Sequence, residues 1–417
     1  MTFDVRVLSG EDELLGASAT FRTALLGLPP VPAGTDVTQF FEPGRTLGAF
    51  DGTELVGTAD SYASTLVVPG GARVPHAAVT HVGVLPTHTR RGIVTALMRR
   101  QLADAAARGE IAATLRASEA VIYERFGYGI AGSAARREVF RRQAVLRATV
   151  PPGGRVRLAD PASSWKTLAQ IYESAAAWTG AIGRPASWWR QQELRQAADP
   201  GPAYVAVHGE DGAEDGFVRY HPADTAEWFT SRDRAIVVDD LVAATPDAYA
   251  GLVRWLLGLD LVDRIILPFT APDDPLPLLL TDERAVRTVS VRDETWLRLV
   301  DVPAALARRD YRGPGSIVLA VTDDLLPGNT GTYLISARGA ARTEERADLS
   351  RADFAGADSS GADLSVDVAT LAALYLGGSR WWQLARAGRV TVHRDGALET
   401  AEELFHTDTS PFSGTLF

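Results

Sequence analysis

The chain of 417 residues contains no cysteine. Disulfide frameworks, thiolate metal sites and a cysteine nucleophile are therefore excluded, and no metal site is expected. Lysine is almost absent too, since Lys166 is the one lysine among 42 basic residues. Because arginine takes its place along the whole chain, the bias reflects overall composition, and a single arginine is weak evidence for a functional site.

Long apolar runs and an excess of positive charge are also lacking. No segment approaches 18 uninterrupted apolar residues, and the N-terminus has no basic-then-apolar signal region. We therefore expect a cytoplasmic protein without a membrane partner. The formal net charge of -10 disfavours nucleic acid as a partner and modestly favours cationic ligands.

The length of the chain predicts more than one domain. The clearest linker, Val150-Pro151-Pro152-Gly153-Gly154, closes a first region of residues 1–150, and a change of pattern near Asp301 separates residues 151–299 from residues 300–417. Alternating strands and helices predict α/β folds in the first two regions. Strands followed by terminal helices predict a separate α+β domain in the third.

Apolar periodicity predicts the local elements of the first region. A hairpin turns at Asp51-Gly52, an apolar strand covers Ala77–Leu85 and ends before Pro86, and a helix covers Ile93–Arg108. A short helix is predicted over Ser118–Phe126. In the third region the predicted strands and helices are Ser316–Asp323, Gly331–Ala337, Arg342–Ala347, Asp363–Val366, Val368–Tyr375 and Trp381–Ala387.

The loop between the strand and the helix of the first region has the composition of an anion site. Backbone N–H groups from Gly92 to Thr95 would open the helix, and such groups bind pyrophosphate oxygens with the help of the helix dipole. Arg90 and Arg91 would add charge-assisted donors. The alternative, that both arginines are solvated surface charges, stays open at this point.

A family resemblance begins at this loop. Val82-Gly83-Val84, with Pro86 and Arg90-Arg91-Gly92-Ile93-Val94, resembles the coenzyme A-binding core of the GNAT acetyltransferases, although Thr89 and Val94 depart from its Gln/Arg-x-x-Gly-x-Gly/Ala pattern. A more specific resemblance, to the enhanced intracellular survival (Eis) acetyltransferase family, extends over all three regions. It is carried by Pro86-Thr87-His88-x-Arg90-Arg91-Gly92, Ala117-Ser118-Glu119-x-x-Ile122-Tyr123-x-Arg125-Phe126-Gly127-Tyr128-Gly129, Asp274-Pro275-Leu276-Pro277-x-Leu279-Leu280-Thr281-Asp282, Trp296-Leu297-Arg298, Val302-Pro303-Ala304-Ala305-Leu306 and Leu374-Tyr375-Leu376-Gly377.

The resemblance implies tandem GNAT folds followed by a sterol-carrier-protein-type α+β domain, assembled as a homohexamer. It implies acetyl transfer from acetyl-CoA to amines of small molecules, such as aminoglycosides or polyamines, or of lysines. Tyr123 would be the general acid, and the C-terminal carboxylate of Phe417 the general base. The cofactor-binding positions that it implies are Val82, Gly83, Val84, Arg90, Arg91, Gly92, Ile93, Val94, Thr95, Ser118 and Glu119.

The two catalytic assignments differ in their physical support. A phenol with a reference pKa of about 10 stays neutral at pH 7 and can protonate a departing sulfur; we place Tyr123 above Tyr128, which lies between glycines in a turn. An α-carboxylate with a reference pKa of about 3.5 is a weak base for an ammonium. A water relay, or electrostatic anchoring of the cation by Phe417, therefore remains an alternative.

The substrate pocket is where the chain departs from the family. Phe21 and Phe40 are expected as aromatic walls, His81 shares a strand face with Gly83 and is assigned to the pocket lining rather than to catalysis, and Leu416 is penultimate. The best-known member carries acids in the first helix and beside the C-terminus, and this chain lacks both. Efficient aminoglycoside modification is therefore less expected than acetyl transfer itself.

A second function class also fits the sequence. A non-catalytic protein of the same fold could bind acyl-CoA or a small molecule and act in regulation or assembly; the presence of Tyr123 and of a terminal Phe417 favours the enzyme. For the third region, a role in delivering the C-terminus and in assembly is favoured over lipid transport.

Overall fold

The computed structural model describes residues 3–28, 31, 34–199, 201–343 and 361–417. The chain divides into two compact units. The first unit comprises Met1–Gly132, Glu294–Ser413 and Phe417, and the second comprises Ser133–Asp293 and Gly414–Leu416. Residues far apart in sequence therefore fold together, and the bounds of the three predicted domains stay a prediction.

The N-terminal part of the first unit is a twisted sheet with two helices. Its elements are β1 (Asp4–Val7), α1 (Glu11–Leu25), β2 (Leu47–Asp51), β3 (Glu54–Val67), β4 (Arg73–Val84), α2 (Ile93–Ala107) and β5 (Ala112–Leu115). Neighbouring strands are antiparallel up to β4, and β5 runs parallel to β4. The predicted hairpin at Asp51-Gly52 is thus confirmed, as is the helix that begins at Ile93.

Apolar residues at helical spacing bind α1 and α2 to this sheet. Leu14 and Ala17 of α1 pack in one cluster with Phe41, whereas Met98 and Leu102 of α2 pack in another with β4 and β5 residues. Burial of such side chains stabilises each helix by roughly 1.5–3 kcal/mol per large apolar residue. Both helices are therefore fixed against the strands whose ends carry the candidate site.

The second unit, like the N-terminal part of the first, is a sheet with helices. Its elements are β6 (Gly129–Phe140), which begins in the first unit, β7 (Val156–Ala159), α3 (Trp165–Ala175), α4 (Ala186–Ala198), β8 (Tyr204–His208), β9 (Gly216–Pro222), β10 (Ala235–Ala243), α5 (Pro246–Gly258), β11 (Arg264–Thr270) and β12 (Val286–Leu299). The sheet order β6-β11-β10-β9-β8-β7 has a parallel pair at β10 and β11. The last residues of β12, Trp296–Leu299, belong to the first unit and pair there with β5.

The C-terminal part of the first unit is an α+β domain. It contains α6 (Val302–Arg308), β13 (Ser316–Thr322), β14 (Gly331–Ser336), β15 (Gly339–Arg342), β16 (Leu364–Asp367), α7 (Val368–Tyr375), α8 (Trp381–Arg386), β17 (Thr391–Val392) and α9 (Ala397–Leu404). The sheet order is β15-β14-β13-β16-β17. The strand predicted at Arg342–Ala347 extends into residues outside the described ones.

The third-domain helix α7 packs directly on the motif that ends the N-terminal region. A Cβ at Gly129 would clash with the Ala369 carbonyl oxygen, so only glycine permits this approach. Glu124 also forms a 2.6 Å ion pair with Arg389. The third domain therefore supports the turn that carries Tyr123.

The predicted helix over Ser118–Phe126 is wrong. Two short 3-10 turns replace it, at Ala120–Ile122 and Glu124–Phe126. Glu119 is extended, and Gly127 adopts the left-handed conformation that turns the chain back into β6, so no continuous helix fits between them. In the described part of the chain, none of the helices has the length and apolar character to cross a bilayer.

Candidate active site

A bulge near the end of β4 shapes the candidate site. Thr58 pairs with Gly83 and Asp60 with Thr80, so Ala59 alone faces the two residues His81 and Val82. His81 has a left-handed φ of 50°. Among the described residues, β4 pairs with β5 only over His76–Ala78, so the backbone from Val82 to Val84 is left to pair with a ligand.

The N-terminus of α2 follows this strand end and presents backbone donors. Gly92 has a φ of 88°, no side chain caps the helix, and its first turn holds no acidic residue. The N–H group of Ala96 bonds to the Gly92 carbonyl, which leaves the N–H groups of the preceding turn for an anion. These features fit a pyrophosphate at Gly92, Ile93, Val94 and Thr95.

The two loop arginines differ in their surroundings. Arg91 donates to Asp51 at 3.0 Å, and His88 lies 3.3 Å from the same carboxylate. Arg90 is exposed, has a φ of 61° and forms no ion pair with any residue that the structure describes. Of the two arginines, Arg90 is the one without an ion-pair partner in the described part of the chain, so its guanidinium is the better placed to bind a phosphate.

Tyr123 shares an apolar cluster with residues of β4 and α2. Its side chain is 5% exposed and packs in the cluster that contains Val79 and Met98, with Val82 and Val94 against it. Burial, followed by the charge of Glu119, raises the pKa of Tyr123 to about 12. Ser118 and Glu119 are exposed in the bend after β5. The phenol is thus a neutral proton donor over the whole physiological range.

Tyr128 is close to Tyr123 but has a different environment. The two rings are 6.0 Å apart, yet Tyr128 is fully buried and its hydroxyl has no hydrogen-bond partner among the described residues. Burial raises the pKa of Tyr128 even further. Tyr128 is therefore a core residue of the first unit.

A small aromatic pocket surrounds the bulge residue His81. The Phe21 ring meets the imidazole edge-on at 4.8 Å, and the Phe41 ring lies 5.5 Å away. Asp60 is 2% exposed and its Oδ2 is 3.3 Å from His81 Nδ1. Phe40 packs instead against the cluster around Leu8 and Leu14; the role assigned to it stays a prediction.

The C-terminus is tied to the first unit through a buried carboxylate. Glu294 accepts hydrogen bonds from the backbone and hydroxyl of Ser413 and forms a 2.5 Å ion pair with Arg116. The Phe417 ring meets the Tyr62 ring edge-on at 5.8 Å. Tyr123 and Phe417 thus belong to one unit, although no hydrogen bond or ring contact joins them directly.

The residues just before Phe417 are held in the second unit. Arg184 donates to the Gly414 carbonyl at 2.7 Å and to the Thr415 hydroxyl at 3.1 Å, and Trp188 donates to the Leu416 carbonyl at 2.6 Å. The Leu416 side chain is exposed, and its pocket role stays a prediction. These irregular C-terminal residues are anchored by side chains rather than by secondary structure.

The sequence analysis did not predict four residues of this region, Asp60, Phe41, Tyr62 and Glu294. Asp60 carried a usable signal, because an acid in the middle of an apolar strand needs a partner. The others gave none, since their importance depends on tertiary contacts. The described residues contain no cluster of acids and histidines suited to a metal.

Comparison with protein families agrees with this architecture. Residues 5–131 and residues 180–299 each match an acetyltransferase (GNAT) domain. Residues 302–414 match a sterol carrier protein domain.

Individual relatives cover most or all of the chain. An uncharacterized N-acetyltransferase of Streptomyces griseus is 36% identical over the full length of both proteins. The N-acetyltransferase Eis of Mycobacterium tuberculosis is 35% identical over 87% of this chain and 85% of its own. The crystal structure of Eis1 from Mycobacterium abscessus has a TM-score of 0.89 and 52% identity, covering 99% of this chain and 100% of its own.

Proposed function

The chain belongs to the Eis family of GNAT N-acetyltransferases, and from that premise we propose that it moves the acetyl group of acetyl-CoA directly onto an amine, with Tyr123 as general acid and the Phe417 carboxylate as general base. It has tandem GNAT folds followed by a sterol-carrier-protein-like domain. Its relatives are N-acetyltransferases, so the alternative of a non-catalytic binding protein is not retained.

The observation that carries the proposal is the uncapped, acid-free start of α2 beside the bulged end of β4. GNAT acetyltransferases use acetyl-CoA, and these residues fit it: backbone groups of Val82, Gly83 and Val84 would pair with the pantetheine arm, and the α2 terminus would hold the pyrophosphate. Arg90, which has no ion-pair partner among the described residues, would add a positive charge. Ser118 and Glu119 would lie beside the cofactor.

Tyr123 would act at the departing sulfur. Its buried, neutral hydroxyl keeps its proton at physiological pH because the pKa is raised to about 12. A thiolate that leaves a thioester needs a proton, and a positioned phenol can supply it. Tyr123 belongs to the apolar cluster against which Val82 and Val94 pack, which supports this role.

Phe417 would act at the amine. Its ring contact with Tyr62 and the tie between Ser413 and Glu294 support a fixed C-terminus in the first unit. Aromatic walls at Phe21 and His81 suit the apolar stem of an amine, as do the pocket positions assigned to Phe40 and Leu416. Small-molecule amines, polyamines and lysine side chains are the proposed acceptors.

The remaining proposals concern assembly and location. By its resemblance to the family, we propose a cytoplasmic homohexamer. The net charge of -10 supports cationic acceptors rather than nucleic acid as partners. Light scattering at micromolar concentration measures the assembly, and a monomer would contradict it.

A thiol-release assay with acetyl-CoA and a panel of aminoglycosides, polyamines and lysine peptides tests the reaction. We expect turnover with at least one amine class. Adding residues after Phe417 should lower kcat by about 10²-fold or more, the scale of general acid–base catalysis, and leave acetyl-CoA binding intact. No turnover with any amine, or full activity of the extended chain, contradicts the proposal.

A further inference from the structure

The three residues before the C-terminal one belong to the second unit, and side chains of that unit bind them. The Arg184 guanidinium donates to the Gly414 carbonyl oxygen at 2.7 Å and to the Thr415 hydroxyl at 3.1 Å. The Trp188 indole N–H donates to the Leu416 carbonyl oxygen at 2.6 Å. Consecutive residues of the tail are therefore held in place although they lie in no helix or strand.

The Arg184 guanidinium is itself fixed by groups outside the tail. It pairs with both carboxylate oxygens of Asp240, and the Arg184 side chain is 2% exposed. Its Cζ also lies over three aromatic rings, at 3.8, 4.4 and 5.3 Å from the ring centres of Tyr172, Trp188 and Trp189. Aromatic faces attract a desolvated guanidinium, so the donors that contact the tail have defined positions. We call these five residues the tail site.

The tail site suits particular residues of the tail. Thr415 is fully buried, and its hydroxyl lies 3.0 Å from the Tyr172 hydroxyl as well as close to Arg184. Gly414 has a φ of 66°, a conformation that glycine adopts without strain. The Leu416 side chain is exposed, and its backbone makes the contact. The site therefore favours glycine at position 414 and a hydroxyl at position 415, and leaves the side chain at position 416 open.

The tail site has the same place in the second GNAT fold as the aromatic pocket around His81 has in the first. Within the described part of the chain, Ala78 is the last residue of β4 to pair with β5, and His81 follows three residues later at a bulge. Val237 is likewise the last residue of β10 to pair with β11, and Asp240 follows three residues later at a register shift. Arg184, the partner of Asp240, thus occupies the position that the first fold offers to a cationic acceptor.

The hydrogen bond to Leu416 bears directly on the terminal residue. The Leu416 carbonyl shares one planar peptide unit with the nitrogen and Cα of Phe417. Because Trp188 fixes the carbonyl oxygen, it also fixes this plane. The φ and ψ torsions of Phe417 are then the remaining freedom between the plane and the terminal carboxylate, so the carboxylate has a restricted range of positions.

We propose that the pocket of the second GNAT fold has become a binding site for the chain's own C-terminal residues, and that Arg184 is the positioning residue that keeps the Phe417 carboxylate in place for the amine. This proposal rests on the proposed role of Phe417 as general base. An α-carboxylate is a weak base, so its contribution depends on a fixed position close to the ammonium. Arg184 acts through the tail and not on the reacting atoms.

Release of Phe417 from the full-length protein by carboxypeptidase A, followed by mass spectrometry, measures how often the tail leaves the site. Thr415→Val removes the hydroxyl that contacts Arg184 and Tyr172. We expect it to speed release about 10-fold, the scale of one buried hydrogen bond, whereas Thr415→Ser should release Phe417 at nearly the wild-type rate. Arg184→Lys keeps a charge beside Asp240 but lacks the guanidinium fork, and should speed release by at least about 10-fold.

Arg190→Gln is the matched control, because Arg190 is an exposed arginine of α4 that pairs with Glu193. It should leave the release rate unchanged, and faster release in this variant would show general loosening of the second unit and overturn the proposal. In the thiol-release assay, Thr415→Val should lower kcat about 10-fold with an unchanged KM for acetyl-CoA, and Thr415→Ser should restore kcat.

Two results would overturn the proposal at different points. An unchanged release rate in Thr415→Val shows that the tail site does not hold the tail, and this variant decides alone if Arg184→Lys does not fold. Faster release with an unchanged kcat shows that the site does not position the base. The release rate is measured without any amine, so these results stay distinct from failure of the proposed function, which appears as full activity of the chain extended beyond Phe417.

Discussion

The two GNAT folds of this chain contain the same β-α-β crossover with different helix starts. β4 leads through α2 to the parallel strand β5, and β10 leads through α5 to the parallel strand β11. α2 begins at Gly92 with no cap and no acid in its first turn. α5 begins with Thr245 capping the Ala248 N–H, Pro246 at the first position and Asp247 in the first turn.

The difference supports our proposal that the anion site lies at the start of α2 and not at the start of α5. In α5 the Thr245 hydroxyl accepts a hydrogen bond from one backbone N–H, and Pro246 has no N–H to donate. The Asp247 carboxylate would repel a phosphate. The turn after β5 carries Tyr123, whereas the turn after β11 is built on Asp274 and Pro275. We therefore propose that acetyl-CoA binds to the first unit and that the crossover of the second unit has a structural role.

The largest expected effect concerns Tyr123, which lies in the turn after β5 and has no counterpart in the turn after β11. Tyr123→Phe should lower kcat by about 10²- to 10³-fold, because the departing sulfur loses its proton donor, while the KM for acetyl-CoA stays the same. Tyr128→Phe is the matched control and should keep near-normal kcat, since its buried hydroxyl has no partner among the described residues. Equal losses in both variants would show that ring packing, not proton donation, matters.

A negative charge in the first turn of α2 should make the start of this helix repel anions, as we propose for the start of α5. Thr95→Asp should weaken acetyl-CoA binding about 30- to 100-fold through repulsion of the pyrophosphate at close range. The melting temperature should not fall, because an acid in the first turn stabilises a helix. Thr95→Asn is the neutral control; an equal loss of affinity there would refute the electrostatic reason.

Substitutions of the two loop arginines should have smaller effects on acetyl-CoA affinity, and their ranking tests which arginine binds the phosphate. Arg90→Gln should raise the acetyl-CoA dissociation constant about 10-fold, the cost of one charge-assisted hydrogen bond. Arg91→Gln should change it less than about 3-fold, because Asp51 already pairs with Arg91. Titration at low and moderate salt measures both, and the reverse ranking would assign the phosphate to Arg91.

The smallest effect concerns the α5 cap. Thr245→Ala should lower the free energy of unfolding by about 1 kcal/mol, because the Ala248 N–H and Asp215 lose their hydroxyl partner. Urea denaturation measures this, and Thr245→Ser should restore most of it. Acetyl-CoA affinity should stay constant in both variants; a change would link α5 to the cofactor.

Local signals predicted much of the N-terminal fold. The hairpin follows from Asp51-Gly52, and the strand end and helix start follow from Pro86 and Gly92. The prediction of a helix over Ser118–Phe126 was wrong because the backbone is extended at Glu119 and turns back at Gly127. Apolar spacing over nine residues does not distinguish one helix from two 3-10 turns.

The part of the candidate site that is formed by residues close together in sequence was predictable. Val82 to Thr95 form one strand-loop-helix segment, and the structure keeps them together with Tyr123. The contacts of Asp60 with His81 and of Glu294 with Ser413 join residues 21 and 119 positions apart. Such contacts depend on strand register and on chain return, which no local pattern encodes.

Titration of the protein with acetyl-CoA by calorimetry tests the central claim most directly, because it counts sites. We expect one site per chain, which is lost or greatly weakened in Thr95→Asp and unchanged in Asp247→Asn. Two sites per chain, or a site that survives Thr95→Asp and disappears in a variant of α5, would contradict it.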